Sequence, residues 1–204
     1  MADSVVLNIS ENKEAFIVLV HNYIKRKGID ELLEYLLKSD FFVAPSSSRF
    51  HLSTPGGLCL HSLNVFHRLI REVECEYGSI DNSPYSMETI AIVSLFHDLC
   101  KIGMYKLYKK NVKNDETGKW EQVDAYKIEE DLPICHGYKS QYILRSYINL
   151  SREESIAVMS HMGGFDATVK GGDQTISNAF KKFPLALLLH TADLKSSSID
   201  EVDK

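Results

Sequence analysis

The stretch TIAIVSLFHDLCK, residues 89–101, constrains the fold more than any other part of the chain. Its first eight residues are apolar except for Thr89 and Ser94, so as a helix it has no polar face and belongs inside a core. The run then ends in the adjacent pair His97 and Asp98, with Lys101 three residues after the aspartate. Strongly hydrated groups at the edge of a core are costly unless something binds there.

At 204 residues, 44% hydrophobic and 25% charged, the chain is long enough for one compact domain with a sizeable core, residues 1–204. A net charge of -5 argues against broad electrostatic capture of nucleic acid. No apolar run approaches the ~20 residues needed to cross a bilayer. The four cysteines, Cys59, Cys75, Cys100 and Cys135, form no CxxC pair, and no basic-then-apolar leader is present. A reducing cytoplasm is the expected home. Cys59, Cys75 and Cys135 read as small buried hydrophobes, whereas Cys100 stands apart because it lies beside the His-Asp pair.

Helical spacing of Phe16, Ile17, Leu19, Val20, Tyr23 and Ile24 predicts a helix over 11–26 with Ser10 as its cap. After Gly28, a second helix capped by Asp30 carries Leu32, Leu33, Leu36 and Leu37 on one face. These N-terminal helices, residues 1–40, read as scaffold, with His21 at the surface. Pro45, three serines, Pro55, Gly56 and Gly57 mark residues 41–58 as a loop. The helix after it, from near His61, places His61, Asn64, Val65 and Arg68 on one face and His67 at the surface. A turn over 78–84 leads into the apolar helix.

Beyond Gly103 the pattern changes. MYKLYKKNV and KWEQVDAYKI flank NDETG, which predicts a β-hairpin inserted over 104–128 with its turn at 114–118. Its lysines read as a solvated strand edge; a lid or a partner contact is the minor alternative. Helices resume over 136–147 and, behind the capping box SREE, over 151–161. A Gly-rich loop with Phe165, Asp166, Lys170 and Asp173 follows and could cover a site. The last helix, 175–202, is expected to break at Pro184 and carries ALLLHTADL, in which Asp193 interrupts an apolar run.

His61, His97, Asp98, His136, His161 and Asp193 therefore all fall at helix ends or within apolar helical stretches. A lone histidine in such a place is usually a hydrogen-bonded core residue. Six such residues need a common explanation. Imidazole and carboxylate donors suit Fe, Mn, Co, Ni or Zn, and the lack of thiolates among them argues against a structural zinc cage.

The order of these residues resembles the HD-domain metal-dependent phosphohydrolase superfamily: a histidine, an adjacent His-Asp pair, and a distant helical aspartate. The resemblance covers residues 56–197, includes Lys101 of an HDxxK form, and extends to PGGLCLHSLNV around the first histidine. Cys100 stands where the HDxGK version has glycine. The resemblance implies an all-α helical bundle whose metal-binding core, residues 56–200, holds one ion by His61, His97, Asp98 and Asp193. His136 and His161 match the two further histidines of binuclear members, which implies a second divalent transition-metal ion with Asp98 as the bridge. It implies metal activation of water and polarisation of a phosphoryl group, with Lys101 neutralising charge on that group. His51 and Arg49, just before the PGG turn, are candidate phosphate contacts.

The implied function is hydrolysis of a phosphomonoester or phosphodiester in a small phosphorylated substrate, a nucleotide first among them. Two alternatives keep the fold. The ligand set also resembles mixed-valent di-iron oxygenases that act on inositol or phosphonates, and the PGGL segment resembles the HD domain of bacterial 3′-to-5′ exoribonucleases. The acidic charge and the lack of a basic, aromatic-rich channel count against the exonuclease.

Overall fold

The apolar run sits at the centre of a predominantly helical structure. In the computed structural model, which describes residues 8–202, helix α4 (Met87–Leu95) has every residue from 90 to 95 buried. The Ser86 hydroxyl caps its start by accepting from the Thr89 amide at 3.1 Å. The helix is shorter than the sequence predicts. Phe96 leaves the helical region at φ -118°, and residues 99–101 form a separate 3₁₀ turn (Leu99–Lys101). Side chains compete with the backbone here: the Ser94 hydroxyl donates to the Ile90 carbonyl at 2.6 Å, and His97 donates to the Ser94 carbonyl at 2.7 Å.

Two helices precede α4 as scaffold. Helix α1 (Ile9–Tyr23) is capped by Asn8 rather than Ser10, because the Asn8 side chain reaches the Glu11 amide at 3.1 Å. Helix α2 (Ile29–Lys38) starts from Gly28 in the left-handed region, leaving Asp30 inside its first turn. Leu32, Leu33 and Leu36 are buried, but Leu37, at the helix end, is exposed. Helix α3 (Gly57–Tyr77) begins one turn before His61. Its first residue must be glycine: a Cβ on Gly57 would meet the Leu52 carbonyl oxygen at 2.2 Å. That close approach of loop to helix start sets the position of His61, four residues on.

Strands β1 (Tyr105–Lys113) and β2 (Trp120–Ile128) form the expected antiparallel hairpin, with Tyr105 opposite Ile128 and Lys113 opposite Trp120. Most of both strands faces solvent, and at the root the Tyr105 hydroxyl donates to the Ser46 carbonyl at 3.4 Å. Then follow α5 (His136–Arg145), α6 (Arg152–Ser160), a 3₁₀ turn (Gly163–Phe165), α7 (Ala167–Lys170), α8 (Thr175–Lys182) and α9 (Pro184–Lys195). The Ser151–Glu154 capping box forms as the sequence predicts. The chain breaks at Pro184, yet the final helix stops at Lys195 and gives way to a π-helical turn (Ser196–Asp200).

One hydrophobic cluster runs from Phe16 in α1 to Ala192 in α9. Around it α3 packs on α4 and α9, α6 packs on α5 and α9, and α5 also meets the Leu99–Lys101 turn. Cys59 and Cys100 are buried, whereas Cys75 and Cys135 are exposed, against the expectation of burial for both. Each lies at an edge of its helix: Cys75 on the outer face of the last turn of α3, Cys135 just before α5. Among the described residues no helix is long and apolar enough to cross a membrane.

Candidate metal centre

Two helix ends supply the first histidines in the same way. The last carbonyls of a helix lack intrahelical partners, and His97, just past α4, donates from Nδ1 to the Ser94 oxygen at 2.7 Å. His161, at the end of α6, donates from Nδ1 to the Val158 oxygen at 2.7 Å. A carbonyl only accepts, so the proton in each ring lies on Nδ1 and Nε2 is left facing inward. His61 follows the same logic with another partner: its Nδ1 lies 3.0 Å from both carboxylate oxygens of Glu201. Imidazoles held through Nδ1 with Nε2 turned toward one point are how proteins present histidines to metals.

That point is Asp98. Its Oδ2 lies 3.4 Å from His61 Nε2, 3.3 Å from His97 Nε2 and 2.6 Å from Lys101 Nζ. Its Oδ1 lies 2.8 Å from His136 Nε2 and 3.5 Å from His161 Nε2. Asp193 reaches His61 Nε2 at 3.2 Å through Oδ1, and the His61 and His97 Nε2 atoms are 3.3 Å apart. So His61 Nε2 has three acceptors within 3.4 Å, and a single N–H can point well at only one of them. A cation about 2.1 Å from each donor would serve all four, because donors on such an ion stand about 3.0–3.4 Å apart. His161 Nε2 is buried with no hydrogen-bond partner. Buried polar groups are rarely left so, and a donor nitrogen aimed at a carboxylate oxygen fits a cation between them. These buried histidine and aspartate groups can hold a metal ion.

His136 reaches this place because of the glycine after it. A Cβ on Gly137 would meet the Met159 carbonyl oxygen at 2.2 Å, so the start of α5 lies directly on the end of α6, near His161. The His136 and His161 rings stand 5.2 Å apart. Cys100 is also close, but its Sγ is 3.3 Å from Nδ1 and 3.2 Å from Nε2 of His136. Near-equal distances to the two nitrogens place the sulfur over the ring face, out of line with either lone pair, so Cys100 packs against the imidazole and does not share its ligand direction. Burial, with Asp98 adding to it, pushes the Cys100 thiol well above its usual range.

The electrostatics are those of a largely buried acidic cluster on a cavity wall. Burial opposes charge on Asp98, but Lys101, His97, His136 and His161 outweigh it and hold the carboxyl well below its usual range. Burial likewise opposes charge on His61, and Glu201, Asp193 and Asp98 hold that imidazole well above its usual value. A proton and a metal therefore compete for His61 Nε2. His136 is pulled down by burial, which the Asp98 contacts offset only in part. Lys101 stays protonated despite burial because Asp98 stabilises the ammonium.

The remaining residues expected from the sequence divide. His51 lines the same cavity, with Nε2 buried, unpartnered and 3.9 Å from Glu201 Oε2. Burial and the neighbouring His61 and Lys101 lower its pKa to about 4. Arg49 is exposed, lies over the Phe50 ring and is not among the residues lining the cavity. Two residues were not expected. Glu201 gives no sign in the sequence, lying in an ordinary polar stretch, yet it is buried and takes hydrogen bonds from His61 and Asn64, the latter at 2.9 Å. His190 donates to the His161 carbonyl at 2.7 Å; its place three residues before Asp193 in an apolar run was a readable signal. Comparison with protein-family models, with characterised proteins and with solved structures finds no match to the chain.

Proposed function

We propose that the chain is an HD-domain metal-dependent phosphohydrolase, cleaving a phosphomonoester or phosphodiester in a small substrate of the nucleotide kind. The observation that carries this reading is the division of Asp98: one carboxylate oxygen faces His61 and His97, and the other faces His136 and His161. His61, His97, Asp98 and Asp193 would hold one divalent ion drawn from Fe, Mn, Co, Ni and Zn, and Asp98, His136 and His161 would hold a second. Bound there, such ions supply Lewis acidity and a lowered water pKa at neutral pH.

The chain's own groups do the rest. Lys101 keeps an ammonium beside Asp98, where it can neutralise charge gathering on a phosphoryl group. Glu201 holds His61 through Nδ1 and fixes the ring plane, with Nε2 turned toward Asp98 and Asp193. His51, on the cavity wall, offers an unpartnered nitrogen to a phosphoryl oxygen.

The experiment is a screen of metal-stripped and metal-reconstituted protein against mononucleotides, cyclic dinucleotides, generic phosphodiesters and sugar phosphates, with and without oxygen. Metal-dependent cleavage that proceeds under nitrogen is the expected result, releasing phosphate from a monoester or an alcohol and a phosphomonoester from a diester. Turnover that strictly requires iron and oxygen would replace the hydrolase with a di-iron oxygenase.

A further inference from the structure

A chamber of about 870 Å³ lies against the metal centre, with Asp98, Lys101, His136 and Asp193 on its inner wall. The rest of its lining is mainly apolar and includes Phe50, Phe165, Met162 and Leu194, with Tyr105 and Ile128 from the root of the hairpin. That volume is typical of a site for an organic ligand and far exceeds what a phosphate needs. Phe50 and Phe165, from two separate loops, leave 70% and 64% of their surface in water. Large exposed aromatic rings on a cavity wall mark contact surface for a ligand.

Charge narrows the ligand further. Lys101 is the only lysine or arginine among the described residues of the lining and is already paired with Asp98 at 2.6 Å, while Asp193 and Glu201 add negative charge. Two divalent ions would offset these carboxylates and hold one phosphoryl group, with no further lysine or arginine among the described lining residues to hold a second or third phosphate. Ser46 Oγ and His51 Nε2 belong to the same lining and are buried without partners. They offer hydrogen bonds to a polar edge on the ligand.

We infer that the chamber binds the organic half of a phosphate ester carrying a single phosphoryl group on a ring-bearing alcohol, and that it rejects polyphosphates. This rests on the phosphohydrolase reading and deepens it. Phe50 and Phe165 would contact the ring, and the hairpin root would form the facing wall.

The test is calorimetry on the manganese-loaded full chain under nitrogen, with phosphonates, which lack the hydrolysable ester bond. A naphthylmethyl phosphonate is expected to bind at least tenfold more tightly than methylphosphonate, and pyrophosphate more weakly than the naphthylmethyl compound. Phe50→Ala and Phe165→Ala are each expected to shrink the aromatic advantage severalfold while leaving methylphosphonate affinity unchanged. Both side chains are exposed, so neither change threatens the fold. If methylphosphonate binds in a metal-dependent way and the aromatic ring adds nothing, or if pyrophosphate binds best, the chamber assignment is overturned while the hydrolase reading stands. If no phosphonate binds at all and no ester is cleaved, both fall together.

Discussion

Asp98 is a single side chain asked to satisfy two groups of histidines through different oxygens, with Lys101 on one of them. Removing it should therefore affect both groups at once. Asp98→Ala is expected to leave neither ion by elemental analysis after metal loading, with Asp98→Asn as a shape-preserving control, whereas His136→Ala should lose about one equivalent and retain the other. Glu201 acts at one remove, through the His61 Nδ1 hydrogen bonds at 3.0 Å. Loss of such an orienting partner typically weakens metal binding 10–100-fold, so Glu201→Ala should lower the affinity of one ion by that factor and spare the second. Glu201→Gln, which can still accept from Nδ1, should recover part of the loss. Equal weakening of both ions would mean that Glu201 merely holds the fold.

At the scale of elements, α3, α4, α5, α6 and α9 bring the histidine and aspartate cluster together, and the hairpin is the part with least structural duty. Its outer turn, beyond the pair Lys109 and Asp124, makes no contribution to the hydrophobic cluster. Joining residues 109 and 124 by a two-residue Asn-Gly turn is expected to leave the thermal midpoint within about 2 °C and the metal content unchanged, since surface changes are usually within about 0.5 kcal/mol. These elements differ in how well the sequence reveals them. The hairpin is legible from alternating Tyr, Val and Trp around a Gly-containing turn, and the capping box at Ser151 from four residues alone. The end of α4 is not, because it depends on Ser94 and His97 turning onto backbone carbonyls. Glu201 is less legible still. Its burial comes from docking of the last turn onto α3, where Arg68 pairs with Asp200 and Asn64 with Glu201, and no local pattern in SSSIDE foretells that contact. The polar residues inside apolar runs, His97, Asp98 and Asp193, were visible because burial of such groups is unusual wherever it occurs.

Across the whole molecule, the helices are tied together by a charged knot away from the metal centre. Arg26, just before α2, donates to Glu154 of α6 at 2.6 Å, to Glu88 of α4 at 3.2 Å and to the Asn149 carbonyl at 2.9 Å. The Glu154 side chain is almost fully buried and also accepts from Thr89 and from the Ser151 amide. Burial alone would raise its pKa, but Arg26 and the Ser151 and Thr89 hydrogen bonds bring it below the usual value. A carboxyl depressed in the folded state stabilises it above the unfolded pKa of about 4.3 and ceases to do so as pH falls through the folded value. Glu154→Gln should therefore lower stability by about 2 kcal/mol at pH 7, with the difference from wild type narrowing below about pH 4, read by urea titration at several pH values. The metal centre has a different reach. His61 and Glu201 are 140 residues apart, and His136 and Asp98 are 38 apart, so its donors meet only when nearly all the chain is in place. The site is then expected to form after the barrier to folding. An ion that binds only there should act as a brake: in stopped-flow experiments manganese is expected to slow unfolding in proportion to occupancy and leave the refolding rate unchanged. An ion that instead accelerated refolding would place the histidines together early, in the nucleus itself.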